Sequence, residues 1–128
     1  MHMLKKQRWI CSIIGALAVV LGALGAHRLQ PILSSAELNT WETAVQYHFI
    51  HALALLVIAT GKGNDKFLNR SFTFFALGIL LFSGSLYFLS VKAHLGIGNI
   101  GPLGLVTPIG GLFFIIGWIM LLFQRTGK

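Results

Sequence analysis

With 128 residues, 55% of them hydrophobic and 10% charged, the chain falls well outside soluble domains, in which about a quarter of residues carry charge. Its mean hydropathy of +0.79 predicts one integral membrane domain over residues 1–128. The lone cysteine, Cys11, excludes an intramolecular disulfide and a cysteine-based zinc site. The net charge of +7 belongs to loops at a membrane face, not to a nucleic-acid surface.

In chain order, Lys5, Lys6 and Arg8 precede an apolar run over residues 9–26. A secretory signal also starts this way, with small residues near Ala23-Leu24-Gly25, but its apolar part is usually only about 7–15 residues long. The run is therefore read as a retained first span. Within it Cys11, Gly15, Ala18, Gly22 and Gly25 recur at alternating four- and three-residue spacing. Small residues on one face let a second helix approach closely, so Gly15, Ala18, Gly22 and Gly25 are expected to pack helices. His27, Arg28 and Pro31 end the span. A short polar link follows, in which Ser35 or Asn39 is the expected cap.

The second span is expected over residues 44–60, the third over 72–91 and the fourth over 108–123, each close to the length a bilayer core requires. Thr107-Pro108 opens the fourth, where proline lacks only an N–H that would be unpaired in a first turn anyway. Trp9, Trp41 and Tyr87 suit interfacial anchoring. The expected fold class is all-α, an integral membrane four-helix bundle.

The loops orient it. Lys5, Lys6, Arg8, Lys62, Lys66, Arg70, Arg125 and Lys128 fall at the N-terminus, the second connection and the C-terminus, leaving only Arg28 and Lys92 for the other side. Basic loops stay cytoplasmic, so both termini are expected inside. The inner-face cations would also meet anionic lipid head groups, with Asp65, Lys66 and Arg70 as one candidate contact.

This topology carries the polar residues of all four spans toward the outer half of the membrane. His27 ends the first span, Gln46, Tyr47, His48 and His51 open the second, Ser85 and Tyr87 lie late in the third, and Thr107 begins the fourth. His48 and His51 are about 60° apart on a helix, with Tyr47 on the same face. Imidazoles are costly in lipid, so this face is expected to look into the bundle, with Glu42 and Gln46 pointing elsewhere.

Three readings of the cluster stand open. His27, His48 and His51 are candidate ligands for a metal, since neutral imidazole is the commonest metal ligand, or for a haem between helices. The same groups suit a hydrogen-bonded network that holds the helices in register. An enzyme or transporter for a lipid-soluble molecule would also use them. By contrast, Gly96-Ile97-Gly98-Asn99-Ile100-Gly101 matches G-x-G-x-x-G but lies in an outer loop, without the strand and helix that a dinucleotide site requires.

Four motifs in order carry a resemblance. These are Gly22-Ala23-Leu24-Gly25-Ala26-His27, the stretch from Trp41 through Gln46-Tyr47-His48 to His51-Ala52-Leu53, Leu81-Phe82-Ser83-Gly84-Ser85-Leu86-Tyr87, and Thr107-Pro108-Ile109-Gly110-Gly111 with Gly117-Trp118. The chain thereby resembles the DUF423 family of small bacterial membrane proteins, similar to eukaryotic transmembrane protein 256. The resemblance implies four transmembrane helices and an uncleaved N-terminus, and it brings no reaction, ligand or catalytic residue. Membrane lipids are the expected partners, and self-association is left open.

Overall fold

The computed structural model describes residues 2–61 and 65–125. All regular elements among them are helical, and four of the helices are long and apolar enough to cross a membrane. Lys62 and Lys128, counted above among the inner-face cations, lie outside the described residues.

Helix α1, His2–Leu24, runs into a π-helical turn, Gly25–Leu29. Helix α2, Ser35–Thr60, starts about three turns before its apolar stretch because a capping box fixes its end. The cap is Ser34, one residue before the expected Ser35. Its hydroxyl accepts from the Glu37 N–H at 3.3 Å, and its own N–H donates to Glu37 Oε2 at 2.8 Å. The expected alternative, Asn39, sits inside the helix, where its carbonyl accepts from the Thr43 hydroxyl.

The third span combines α3, Lys66–Gly78, a π turn, Ile79–Ser83, and α4, Gly84–Val91, ending in a 3-10 turn, Lys92–Leu95. A second 3-10 turn, Gly101–Leu105, leads into α5, Val106–Leu121. Between them Gly96 and Gly101 adopt φ of 72° and 56°, the left-handed conformation that explains two of the glycines in the G-x-G-x-x-G string. No strand precedes that string among the described elements.

Helix α1 packs along α2, α2 packs along the third span, and α5 also packs along the third span, mainly against α3 and the π turn. The α5 contact is intimate because glycines alternate with rings. A Cβ on Gly117 would sit 2.6 Å from the Phe75 ring, one on Gly78 2.5 Å from the Phe114 ring, and one on Gly110 would overlap the Leu81–Phe82 backbone. Leu55, Ala59, Phe72, Phe75, Ile79 and Phe114 form the apolar core, which Cys11 joins from α1.

The small-residue stripe of α1 divides. Cys11, Ala18 and Gly25, seven residues apart, are buried against the protein, and Gly25 leaves room for the Trp41 ring. Gly22 lies on the flank, where an added Cβ would be 3.3 Å from Val45. Gly15 has open space where its side chain would be, and so does not pack a neighbour within the chain.

Candidate functional site

Helix α2 lies between α1 and the third span, so a polar side chain on its buried face can reach two neighbours. His48, 2% exposed, does so. Its Nε2 lies 3.0 Å from the Ile14 carbonyl and its Nδ1 2.9 Å from the Tyr87 hydroxyl. A carbonyl only accepts, so Nε2 carries the proton and Nδ1 accepts from the Tyr87 O–H. One neutral imidazole therefore joins α2 to α1 and α4.

His51, one turn further and 4% exposed, faces another neighbour. Its Nδ1–H donates to the Tyr47 carbonyl at 2.7 Å, and its Nε2 accepts from the Trp118 indole N–H at 3.1 Å. This is the opposite tautomer to that of His48. The ring stacks on Phe114 with centroids 3.6 Å apart and meets Phe75 edge-on. His51 thus joins α2 to α5, although the two helix backbones do not pack closely.

Three further interhelical bonds follow one pattern, a side-chain donor on a backbone carbonyl of a neighbouring helical element. The Trp41 indole N–H donates to Leu21 at 2.9 Å, Ser83 to Ala44 at 2.8 Å and Ser71 to Gly117 at 2.8 Å. Ser85 and Thr107 share a hydrogen bond between α4 and α5. Among the described residues no buried side-chain nitrogen or oxygen lacks a partner, as a low-dielectric interior requires.

Several sequence expectations change here. Trp41 is not an interfacial anchor, since it is 5% exposed and holds α1. Tyr47 does not share the buried face of the histidines. It is 41% exposed beside Phe82 and Phe114. His27 and Gln46 are exposed. Among the described residues no three His, Cys, Asp or Glu side chains gather closely enough to hold a metal ion, so the trio His27, His48 and His51 does not assemble. Both α2 imidazoles turn their nitrogens to different helices.

Depth differs as well. Ser85 and Thr107 meet near the start of α5, whereas Ser71 and Gly117 meet near its end. His51 lies about 10 Å further along α2 than Ala44 and reaches Phe75 and Trp118. The polar contacts therefore run the length of the spans instead of gathering at one outer level. Ser71, Trp118 and the carbonyls of Ile14, Leu21, Ala44 and Gly117 complete the set. Trp118 is a single polar atom in an apolar run, Ser71 follows Asn69-Arg70 at the polar edge of the third span, and the carbonyls leave no mark in a sequence.

The ends are tied separately. On one side His94 Nε2 lies 3.1 Å from Glu37 Oε2, joining the glycine-rich loop to the capping box. On the other, Asp65 Oδ1 caps α3 by accepting from the Phe67 and Leu68 N–H groups, while Oδ2 accepts from the Arg125 N–H at 3.0 Å. The Arg125 bond, then those from Phe67 and Leu68, hold this carboxyl below the usual carboxylate range. The carboxylate expected beside a lipid head group is thus engaged by backbone donors.

Comparison with known proteins agrees with this architecture. Residues 21–111 match the model of a family described as "Protein of unknown function (DUF423)". The chain is 46% identical over 117 residues to the UPF0382 membrane protein YwdK of Bacillus subtilis, covering 85% of this chain and 89% of the relative. It is 45% identical to a UPF0382 membrane protein of Staphylococcus aureus (86% and 89% covered) and 38% identical to one of Haemophilus influenzae (93% and 92% covered). No solved structure matches the chain. Four helices of membrane-spanning length and these whole-length similarities place the chain in one family, and it belongs to DUF423, a family of bacterial membrane proteins.

Proposed function

We propose that this protein is a non-catalytic component of the cytoplasmic membrane, in which buried imidazole, phenol, indole and hydroxyl groups hold four spans in one arrangement that supports envelope integrity. One observation carries the reading: each ring nitrogen of His48 and His51 already has a partner within the chain. An imidazole engaged on both sides has no lone pair free for a metal or haem iron. Its contribution is to fix which faces of α1, α2, α4 and α5 meet.

The test is purification from metal-replete cells followed by metal analysis, a visible spectrum and thermal unfolding of wild type and His48→Ala. The reading expects no stoichiometric metal, no haem absorption and a lower melting temperature for the variant. A metal or haem present in wild type and lost from the variant would overturn it.

Orientation belongs to the same proposal. Lys5, Lys6, Arg8, Lys66, Arg70 and Arg125 on one side against Arg28 and Lys92 on the other support cytoplasmic termini. In a Cys11→Ala background, His94→Cys should react with a membrane-impermeant maleimide in intact cells. Arg125→Cys should react only after permeabilisation, and the reverse pattern would contradict the orientation.

A further inference from the structure

The connection between α4 and α5 is a loop without charge. No Asp, Glu, Lys, Arg or His occurs between His94 and Arg125, so nothing ionised holds residues 95–105 in water. Leu95 and Leu105 are 62% and 65% exposed, and Ile97 and Leu103 are exposed beside them. Large apolar side chains gathered on a surface mark a contact.

Two observations identify what makes that contact. The first is length. Helix α5 has 16 residues and is about 24 Å long, against about 30 Å of hydrocarbon to be crossed. Leu122 and Phe123 at its far end bring the apolar run to about 27 Å, before Gln124-Arg125 stops it. The start of α5 therefore falls at the edge of the hydrocarbon, and the 3-10 turn Gly101–Leu105 falls in the boundary layer itself. The second is continuity. Leu105, Ile109, Leu112, Ile115 and Ile119 recur at four- and three-residue spacing, and all are exposed. The outward face of a membrane-spanning helix thus runs without a break into the loop.

Polar groups limit the depth. Lys92 Nζ donates to the Gly98 carbonyl at 3.3 Å, and the Gly101 N–H donates to Asn99 Oδ1 at 3.0 Å, so these side chains close the loop on itself. His94 tethers it to Glu37 at the start of α2. Residues 97–100 have no regular structure, and irregular backbone needs hydrogen-bond partners that hydrocarbon lacks and that head groups and their water supply.

We infer that residues 95–105 are an interfacial segment, seated in the boundary between head groups and acyl chains of the leaflet on the His94 side, with Leu95, Leu103 and Leu105 entering the lipid. Its partner is the phospholipid of that leaflet, and the segment lies in the membrane plane as an amphipathic anchor does. This goes beyond the structural role proposed above and does not depend on which side of the membrane His94 occupies.

Spin labels on single cysteines in a Cys11→Ala background test the assignment, with the full chain in vesicles of phosphatidylethanolamine and phosphatidylglycerol. Leu95→Cys, Leu103→Cys and Leu105→Cys carry the label in turn. Ile115→Cys on the outward face of α5 is the lipid reference and Lys6→Cys at the charged end of α1 the water reference. Collision with oxygen, which concentrates in lipid, is compared with collision with a neutral nickel chelate, which stays in water. Thermal unfolding confirms that each labelled protein is folded, and the three loop positions are read separately, so the loss of one variant leaves the test intact.

The proposal expects oxygen accessibility at the loop positions close to that of Ile115→Cys, with nickel accessibility severalfold below that of Lys6→Cys and somewhat above that of Ile115→Cys. Nickel accessibility equal to that of Lys6→Cys would overturn it by placing the loop in water. Low accessibility to both reagents would also overturn it, because the leucines would then be covered by protein, whether a second copy or another chain.

Discussion

His48 and His51 stand one helical turn apart on α2 and hold opposite tautomers, with the proton on Nε2 of the first and on Nδ1 of the second. The difference follows from which nitrogen meets a carbonyl, and it assigns each ring to different neighbouring helices. Two residues that resemble one motif in the sequence are thus two separate joints.

The first joint is tested at Tyr87. Tyr87→Phe keeps the ring that packs on Trp41 but leaves His48 Nδ1 buried without a donor. The expected loss is about 1 kcal/mol, near the upper part of the range for interhelical bonds in membranes, whose average is about 0.6 kcal/mol. Thermal or denaturant unfolding in detergent measures it, and a cycle with His48→Ala should show that the two changes do not add. Full additivity would mean that the hydrogen bond contributes nothing.

Two glycines should respond oppositely. An added methyl at Gly110 meets the Leu81–Phe82 backbone, which cannot rotate away, so Gly110→Ala should cost roughly 1–3 kcal/mol through displacement of α5. Gly15 faces open space, so Gly15→Ala should be neutral or stabilising by up to about 1 kcal/mol through helix propensity. Unfolding of the two variants side by side decides the matter, and comparable damage from both would show that α1 is packed at Gly15.

These glycines also show how far the sequence could be read. Hydropathy and loop charge sufficed for four long apolar helices, because those signals sum over many residues. The stripe from Cys11 to Gly25 identified the packed face of α1, but only the seven-residue repeat Cys11, Ala18 and Gly25 runs down its centre. Gly15 and Gly22 share the spacing yet fall on the flank, a difference set by where α2 lies. The histidines were legible as costly groups in lipid. Their partners were not, since Ile14, Leu21, Ala44 and Gly117 contribute carbonyls that every residue possesses. Ser34 displaced Ser35 as the cap because cap position depends on backbone conformation, here an extended Ser34 with ψ of 163°.

Acid should loosen the contact between the start of α3 and the Arg125 end. The folded-state pKa of Asp65 lies below its unfolded value because the Arg125, Phe67 and Leu68 N–H groups bind the carboxylate. Its stabilising effect is therefore complete above the unfolded carboxylate pKa and is lost as pH falls through the folded one. Melting temperature should drop on acidification, and Asp65→Ala should start lower at neutral pH and fall less steeply. An unchanged acid-side slope in the variant would show that Asp65 does not link α3 to the Arg125 end.

The most direct measurement is nitrogen-15 solid-state NMR of the histidine side chains in lipid, with His48→Gln and His51→Gln used to assign the signals. The account predicts two neutral imidazoles of opposite tautomer, protonated at Nε2 for His48 and at Nδ1 for His51, and unchanged on adding zinc or haem. An imidazolium at either position, one shared tautomer, or a metal-induced shift would contradict the conclusion that these rings join helices and do nothing else.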